Sequence, residues 1–76
     1  MKNQIFFSKN IKYLRKKKHL GQQQLANELN VPQSTLACWE KGIRTPKLET
    51  IIDIANFFEV DLRIIYEDLS KENENL

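Results

Sequence analysis

Apolar positions recur along this chain three and four residues apart, with short polar breaks between the runs, and that period predicts helices throughout. From about Ile5 to Lys18, Phe7, Ile11 and Leu14 form one stripe while Lys and Arg occupy the other faces, which predicts a first amphipathic helix. Gly21 breaks that run. Gln22 to Leu29 then carries Leu25, Ala26 and Leu29 on one side, a second helix of about two turns, closed by Asn30, which tolerates left-handed backbone well. Pro32 is accepted only at or just before a first helical turn, so a third helix runs from about Pro32 or Gln33 to Lys41, and Gly42 stops it. Ile43 to Pro46 reads as a loop. The next segment is a fourth helix with Leu48, Ile51, Ile54, Ala55 and Phe58 facing inward. After a junction at Val60 and Asp61, with Asp61 as N-cap, a short fifth helix runs from Leu62 to about Leu69, with Leu62 and Ile65 inward. Val and Thr are few, no alternating stretch signals a strand, and no internal repeat is visible. The reading is an all-α, compact five-helix bundle over residues 1–69, followed by a polar tail, 70–76, with too little apolar surface to order it.

Length narrows the picture to one small domain, since 76 residues leave no room for a second core. Cys38 is the single cysteine, so no internal disulfide braces the fold and helix packing must do so; the composition suits a reducing, cytoplasmic setting. The longest apolar runs, Ile5 to Phe7 and Leu36 to Trp39, are far too short to span a bilayer, and Met1 to Phe7 lacks the apolar core of a signal peptide. The expectation is a soluble protein without a membrane partner. The net charge of +2 conceals a division: residues 1–44 hold nine Lys and Arg against Glu28 and Glu40, whereas residues 45–76 hold three against eight acids. A basic half of this kind directs attention to an anionic partner, nucleic acid first. Catalytic classes fare poorly. There is no convergent carboxylate pair, nucleophile triad or glycine-rich phosphate loop, so no enzyme and no cofactor are expected. His19 has no second ligand at metal-binding spacing, and no metal site is expected either.

The spacing between Gln22 and Lys41 carries the functional signal. Two short helices crossing steeply through a tight turn need a small residue where their backbones approach, a residue tolerant of positive φ in the turn, and apolar residues locking the inside. Ala26, Asn30 and the set Leu25, Leu29, Val31, Leu36 and Trp39 supply these in order. In this arrangement the stretch from about Ile11 to Ile65, including "WEKG" and "RTP", resembles the helix-turn-helix DNA-binding family of the phage repressor and Cro type, the lambda-repressor-like fold.

The resemblance implies that the third helix is a recognition helix entering the major groove of double-stranded DNA, with Gln33, Ser34, Ala37 and Cys38 facing the bases. An amide such as Gln33 donates and accepts at once and so suits adenine, and Ser34 serves with any base. It further implies phosphate contacts from Gln22, Thr35, Lys41, the Gly42 amide, Arg44 and Thr45, with Gln22 also bracing the first recognition residue. Arg15 and Glu40 match a structural ion pair that orients the recognition helix. Lys16, Lys17, Lys18 and His19 chiefly add long-range attraction.

This chain departs from the family pattern at three places. Gly21 replaces the usual Ser or Thr cap of the second helix, Pro32 replaces the polar cap of the third, and Ala37 and Cys38 stand where relatives often carry longer polar side chains. Such a surface leans more on thymine methyl contacts and DNA shape. Cys38 lies more than a turn into its helix between Ala37 and Trp39, a poor environment for a reactive thiolate. The functional expectation is a transcriptional regulator, a repressor more than an activator, acting as a homodimer on a palindromic operator. Phe6, Phe7, Phe57, Ile64 and Tyr66 exceed what one small core holds, which points to dimer contacts near the fourth and fifth helices. The alternative is an antitoxin or regulatory interaction module that binds DNA only secondarily.

Overall fold

A computed structural model describes residues 2–68, with side chains from Phe6 onward. The expected tail, 70–76, lies outside the described residues. Five helices follow one another: α1 (Lys2–Lys17), α2 (Gln22–Leu29), α3 (Gln33–Lys41), α4 (Leu48–Phe58) and α5 (Leu62–Tyr66). No strand occurs among the described residues. α1 is the spine, packing against both α3 and α5; α2 packs on α3, and α4 on α5. The α1 stripe of Phe7, Ile11 and Leu14 meets Leu25, Leu36, Ile54 and Ile65 in a single core. Burying each such side chain contributes about 1.5–3 kcal/mol, enough in sum to hold a domain without a crosslink.

Three helix ends share one construction. Asn30, Gly42 and Glu59 adopt φ of 58°, 77° and 57°, and in each case the next N–H turns back to a carbonyl of the last turn: Val31 to Ala26, Ile43 to Cys38 and Val60 to Ala55, each at 3.0 Å. This left-handed closure satisfies carbonyls that a helix end leaves without partners. The Asn30 and Gly42 stops follow from their residue types. Glu59 does not, and the expected junction at Val60 and Asp61 therefore begins one residue earlier. The break after α1 also moves, because His19, with φ 59°, makes the left-handed turn while Gly21 is extended. A clamp explains the shift: the Leu20 N–H donates to the Arg15 carbonyl at 3.1 Å and Arg15 Nη1 donates to the Leu20 carbonyl at 2.8 Å.

Two polar groups fasten α5. Asp61 caps it by accepting the Arg63 N–H at 2.9 Å, and that hydrogen bond holds the Asp61 carboxyl below its usual range. The cap is therefore intact above the ordinary carboxylate range and is lost as pH falls through the lowered folded value. From α1, the buried Asn10 amide donates to the carbonyls of Ile64, Ile65 and Glu67 at 3.1, 2.8 and 2.6 Å.

Packing revises two inward assignments. Leu48 and Leu62 open their helices and are 61% and 37% exposed, since nothing covers those first turns. Of the five residues judged surplus to the core, Phe7 is fully buried, Phe57 and Tyr66 pack against the core, and Phe6 and Ile64 are half-buried. Paired rings make the room: Phe57 meets Phe58 edge-on at 5.0 Å and Phe7 lies 6.3 Å from Tyr66. The large apolar residues left exposed are Ile43, Leu48, Ile52 and Leu62.

Candidate nucleic-acid interface

The turn between α2 and α3 sets the aim of everything that follows it. Pro32 adopts φ −63° and ψ 147° and its carbonyl opens α3, accepting the N–H groups of Thr35 and Leu36 at 3.1 and 3.3 Å. A proline fixed in this conformation makes a clean N-cap without a side-chain acceptor, so the helix starts at Gln33. At the head of α2, the Gly21 N–H donates to Gln24 Oε1 at 2.7 Å, the N3 half of a capping box, while glycine has no side chain to supply the acceptor that a Ser or Thr cap would. The sequence signal for that contact was a Gln three residues after the cap.

Leu36 and Trp39 anchor α3 in the core, which leaves its opposite face outward. Gln33 and Ser34 are exposed; Thr35, Ala37 and Cys38 are half-buried. The outward face is thus narrower than expected, because the short side chains at 37 and 38 sit low between their neighbours. Ser34, Thr35 and Cys38 line a shallow depression of about 250 Å³ together with Arg44 from the following loop. Lys41, Arg44 and Thr45 are exposed along the rim and Gly42 is half-buried. A Cβ on Gly42 would lie 3.6 Å from Ser8 Oγ, an ordinary contact, so its positive φ is what requires glycine there.

Beneath this face runs a chain of hydrogen bonds. Arg15 grips Glu40 with two donors, Nε to Oε2 at 2.6 Å and Nη2 to Oε1 at 3.0 Å, and the two side chains are only 9% and 3% exposed. Hydrogen bonding to Glu40 outweighs burial and holds the Arg15 guanidinium above its usual pKa. Gln22 Nε2 donates to Glu40 Oε1 at 3.1 Å, and Gln33 Nε2 donates to Gln22 Oε1 at 3.3 Å. The link from Gln22 to Glu40 escapes sequence reasoning, because residues 18 apart meet only through the crossing angle of α2 and α3. The basic run behaves differently. Lys17 and Lys18 place their ammonium groups over the rings of Tyr13 and Phe57, at 5.8 and 5.6 Å, while Lys16 and His19 are exposed.

Among the described residues there is no group of three or more His, Cys, Asp or Glu that could hold a metal ion, and no helix is long and apolar enough to cross a membrane. What the arrangement offers is an outward, amide-bearing helix face with the exposed cations Lys41 and Arg44 following it. This is the architecture of a helix-turn-helix protein. Residues 11–65 match the helix-turn-helix family, and the chain belongs to it. It is 37% identical over 62 residues to the cryptic phage CTXphi transcriptional repressor RstR of Vibrio cholerae, covering 82% of this chain and 56% of that one. It is 40% identical over 60 residues to the HTH-type transcriptional regulator MJ0272 of Methanocaldococcus jannaschii, covering 76% of this chain and 91% of that protein. The fold superposes on the solution structure of the SOS-response transcriptional repressor LexA from Eubacterium rectale with a TM-score of 0.82 and 26% identity, covering 90% of this chain and 72% of the other. The chain spans little more than half the length of RstR and of YqaE, an HTH-type transcriptional regulator of Bacillus subtilis, at 56% and 57%.

Proposed function

We propose that this protein is a sequence-specific repressor that inserts α3 into the major groove of double-stranded DNA. The observation that carries the reading is the exposed Gln33 amide, held by Gln22 at the open end of a helix whose other face is anchored in the core. Gln33 and Ser34 contact base edges, and Ala37 and Cys38 offer small surfaces to thymine methyl groups. Gln22, Thr35, Lys41, the Gly42 amide, Arg44 and Thr45 bind the phosphates on either side, which fixes register. The Arg15–Glu40 pair sets the angle of α3 and touches no DNA. RstR and LexA are named as repressors, and an α3 lodged over a promoter blocks polymerase without further chemistry. The protein needs no cofactor and catalyses no reaction, and it acts in the cytoplasm where its operator lies.

It acts as a homodimer on a palindrome. Two copies set about 34 Å apart along DNA present their recognition helices to successive major-groove turns, and the molecule itself measures 34 × 27 × 20 Å, so neighbours at that spacing meet. The exposed residues Leu48, Ile52 and Leu62 on α4 and α5 supply the apolar contact.

Selection of binding sites from random duplexes, with affinity for the winning sequence measured against salt, tests this. The expected result is a palindrome with half-sites about ten base pairs apart and a salt slope of about −4, from Lys41 and Arg44 in each of two copies. A steep slope without enrichment would reduce the protein to a non-specific binder. A second reading, an interaction module such as an antitoxin, draws on the same exposed apolar residues, and the absence of both enrichment and salt-sensitive binding would favour it.

A further inference from the structure

The hydrogen-bond chain under α3 has a direction, and the direction is fixed at its buried end. A carboxylate only accepts. Glu40, both of whose oxygens accept from Arg15, therefore obliges Gln22 to present its NH₂ inward, which turns the Gln22 carbonyl oxygen toward Gln33. That oxygen accepts one Gln33 N–H. Of the Gln33 amide, one N–H and the carbonyl oxygen remain for DNA, while Gln22 keeps one N–H for a phosphate.

We infer that Glu40, a residue that touches no base, sets the base preference of Gln33 by fixing the donor and acceptor order of the Gln22 amide. One donor beside one acceptor matches adenine, whose major-groove edge offers the N7 acceptor and the N6 donor. Were the polarity reversed, Gln22 would donate to the Gln33 oxygen, and Gln33 would present two N–H groups. Guanine, with acceptors at N7 and O6, is the partner for that pattern. Glu40→Gln is the isosteric change that permits reversal. Either setting of the new amide leaves one Arg15 donor opposite its NH₂, since Nε meets one oxygen at 2.6 Å and Nη2 the other at 3.0 Å; the setting that keeps the shorter contact gives up the Nη2 hydrogen bond, turns the NH₂ toward Gln22 and is completed when the Gln22 amide turns over. Glu40 is thus a positioning residue acting through Gln22, and Arg15 holds it in place.

This inference rests on the proposal that Gln33 reads a base, and the experiment separates the two. Relative affinities for all four bases at each position of the selected site are measured for the wild type, Gln33→Ala, Gln22→Met and Glu40→Gln, with folding monitored by circular dichroism. Gln33→Ala should flatten the preference at one base pair. At that same base pair, Glu40→Gln should shift the adenine-to-guanine ratio by about tenfold toward guanine, and Gln22→Met should erode the ratio without reversing it. Loss of affinity alone, equal for all bases, is what a merely structural role would produce. If Gln33→Ala flattens nothing, the reading of Gln33 falls and the inference with it. If it flattens one position while Glu40→Gln and Gln22→Met keep the wild-type ratio there, the polarity relay is wrong and Gln33 still reads. Should Glu40→Gln fail to fold, Gln22→Met, at a half-buried surface position, decides alone: an unchanged ratio overturns the inference.

Discussion

Asn10 is the polar residue on which the fold most depends. Its amide nitrogen reaches three carbonyls at the end of α5, and the residue is 3% exposed. Removing it would take a hydrogen-bond donor from those carbonyls in a buried setting, at about 1–3 kcal/mol. Asn10→Ala should accordingly lower the melting temperature by roughly 4–24 °C, at about 4–8 °C per kcal/mol for a domain this small; a melt within two degrees of the wild type would show that the Asn10 contacts contribute little to holding α5. Position 10 was legible in part. It falls three residues after Phe7 and next to Ile11, on the apolar stripe, and a polar residue placed there has to find a partner inside. Which partner it finds depends on a contact 54 to 57 residues away, and periodicity carries no such information. The Gln22–Glu40 link was hidden for the same reason, whereas Gln33, Lys41 and Arg44, singled out by the helix-turn-helix resemblance, are exposed.

At the scale of the element, helix interiors were easier to read than helix ends. The stripes of α1, α2 and α3 follow from spacing, as do the stops at Asn30 and Gly42, because residue type and backbone conformation agree there. At Glu59 they disagree: it holds positive φ without being a residue that prefers it, and tertiary packing overrides the local preference, whereas His19 is of a type more often found there. The first turns of α4 and α5 were misread because a helical period does not say how far neighbouring elements extend. The Glu59 disagreement gives a prediction. A non-glycine residue in the left-handed region costs about 1–2 kcal/mol, and Glu59 is exposed with no side-chain hydrogen bond described for it. Glu59→Gly removes the strain, offset by the greater freedom of glycine in the unfolded chain. A net gain of roughly 0.5–1 kcal/mol should appear as a higher midpoint in urea at unchanged slope. Gly42→Ala, at φ 77°, should move the midpoint the other way.

For the whole molecule, charge and shape act together. The basic half contains α1 to α3 and the acidic half α4 and α5, so the field draws the α3 side toward phosphate and turns the α4 and α5 side away. On the proposed palindrome, two copies bound to successive groove turns would be oriented alike before they touch, and Leu48, Ile52 and Leu62 give them exposed apolar side chains to meet through. Leu48 and Ile52 lie one helical turn apart on α4, 61% and 41% exposed. Replacing both with Glu leaves the core untouched, and surface changes of this kind shift stability by about 0.5 kcal/mol or less each. The effect on assembly should be much larger, because two buried apolar contacts per copy are exchanged for four like charges facing across a two-fold axis. Affinity for the full palindrome should fall at least about tenfold, while affinity for an isolated half-site changes far less, since neither residue is among those proposed to touch DNA. Equal weakening on both duplexes would mean that α4 meets DNA directly. Full-site affinity unchanged, with the variant folded, would remove α4 from the dimer contact and leave Ile43 and Leu62 as the exposed apolar residues able to make it.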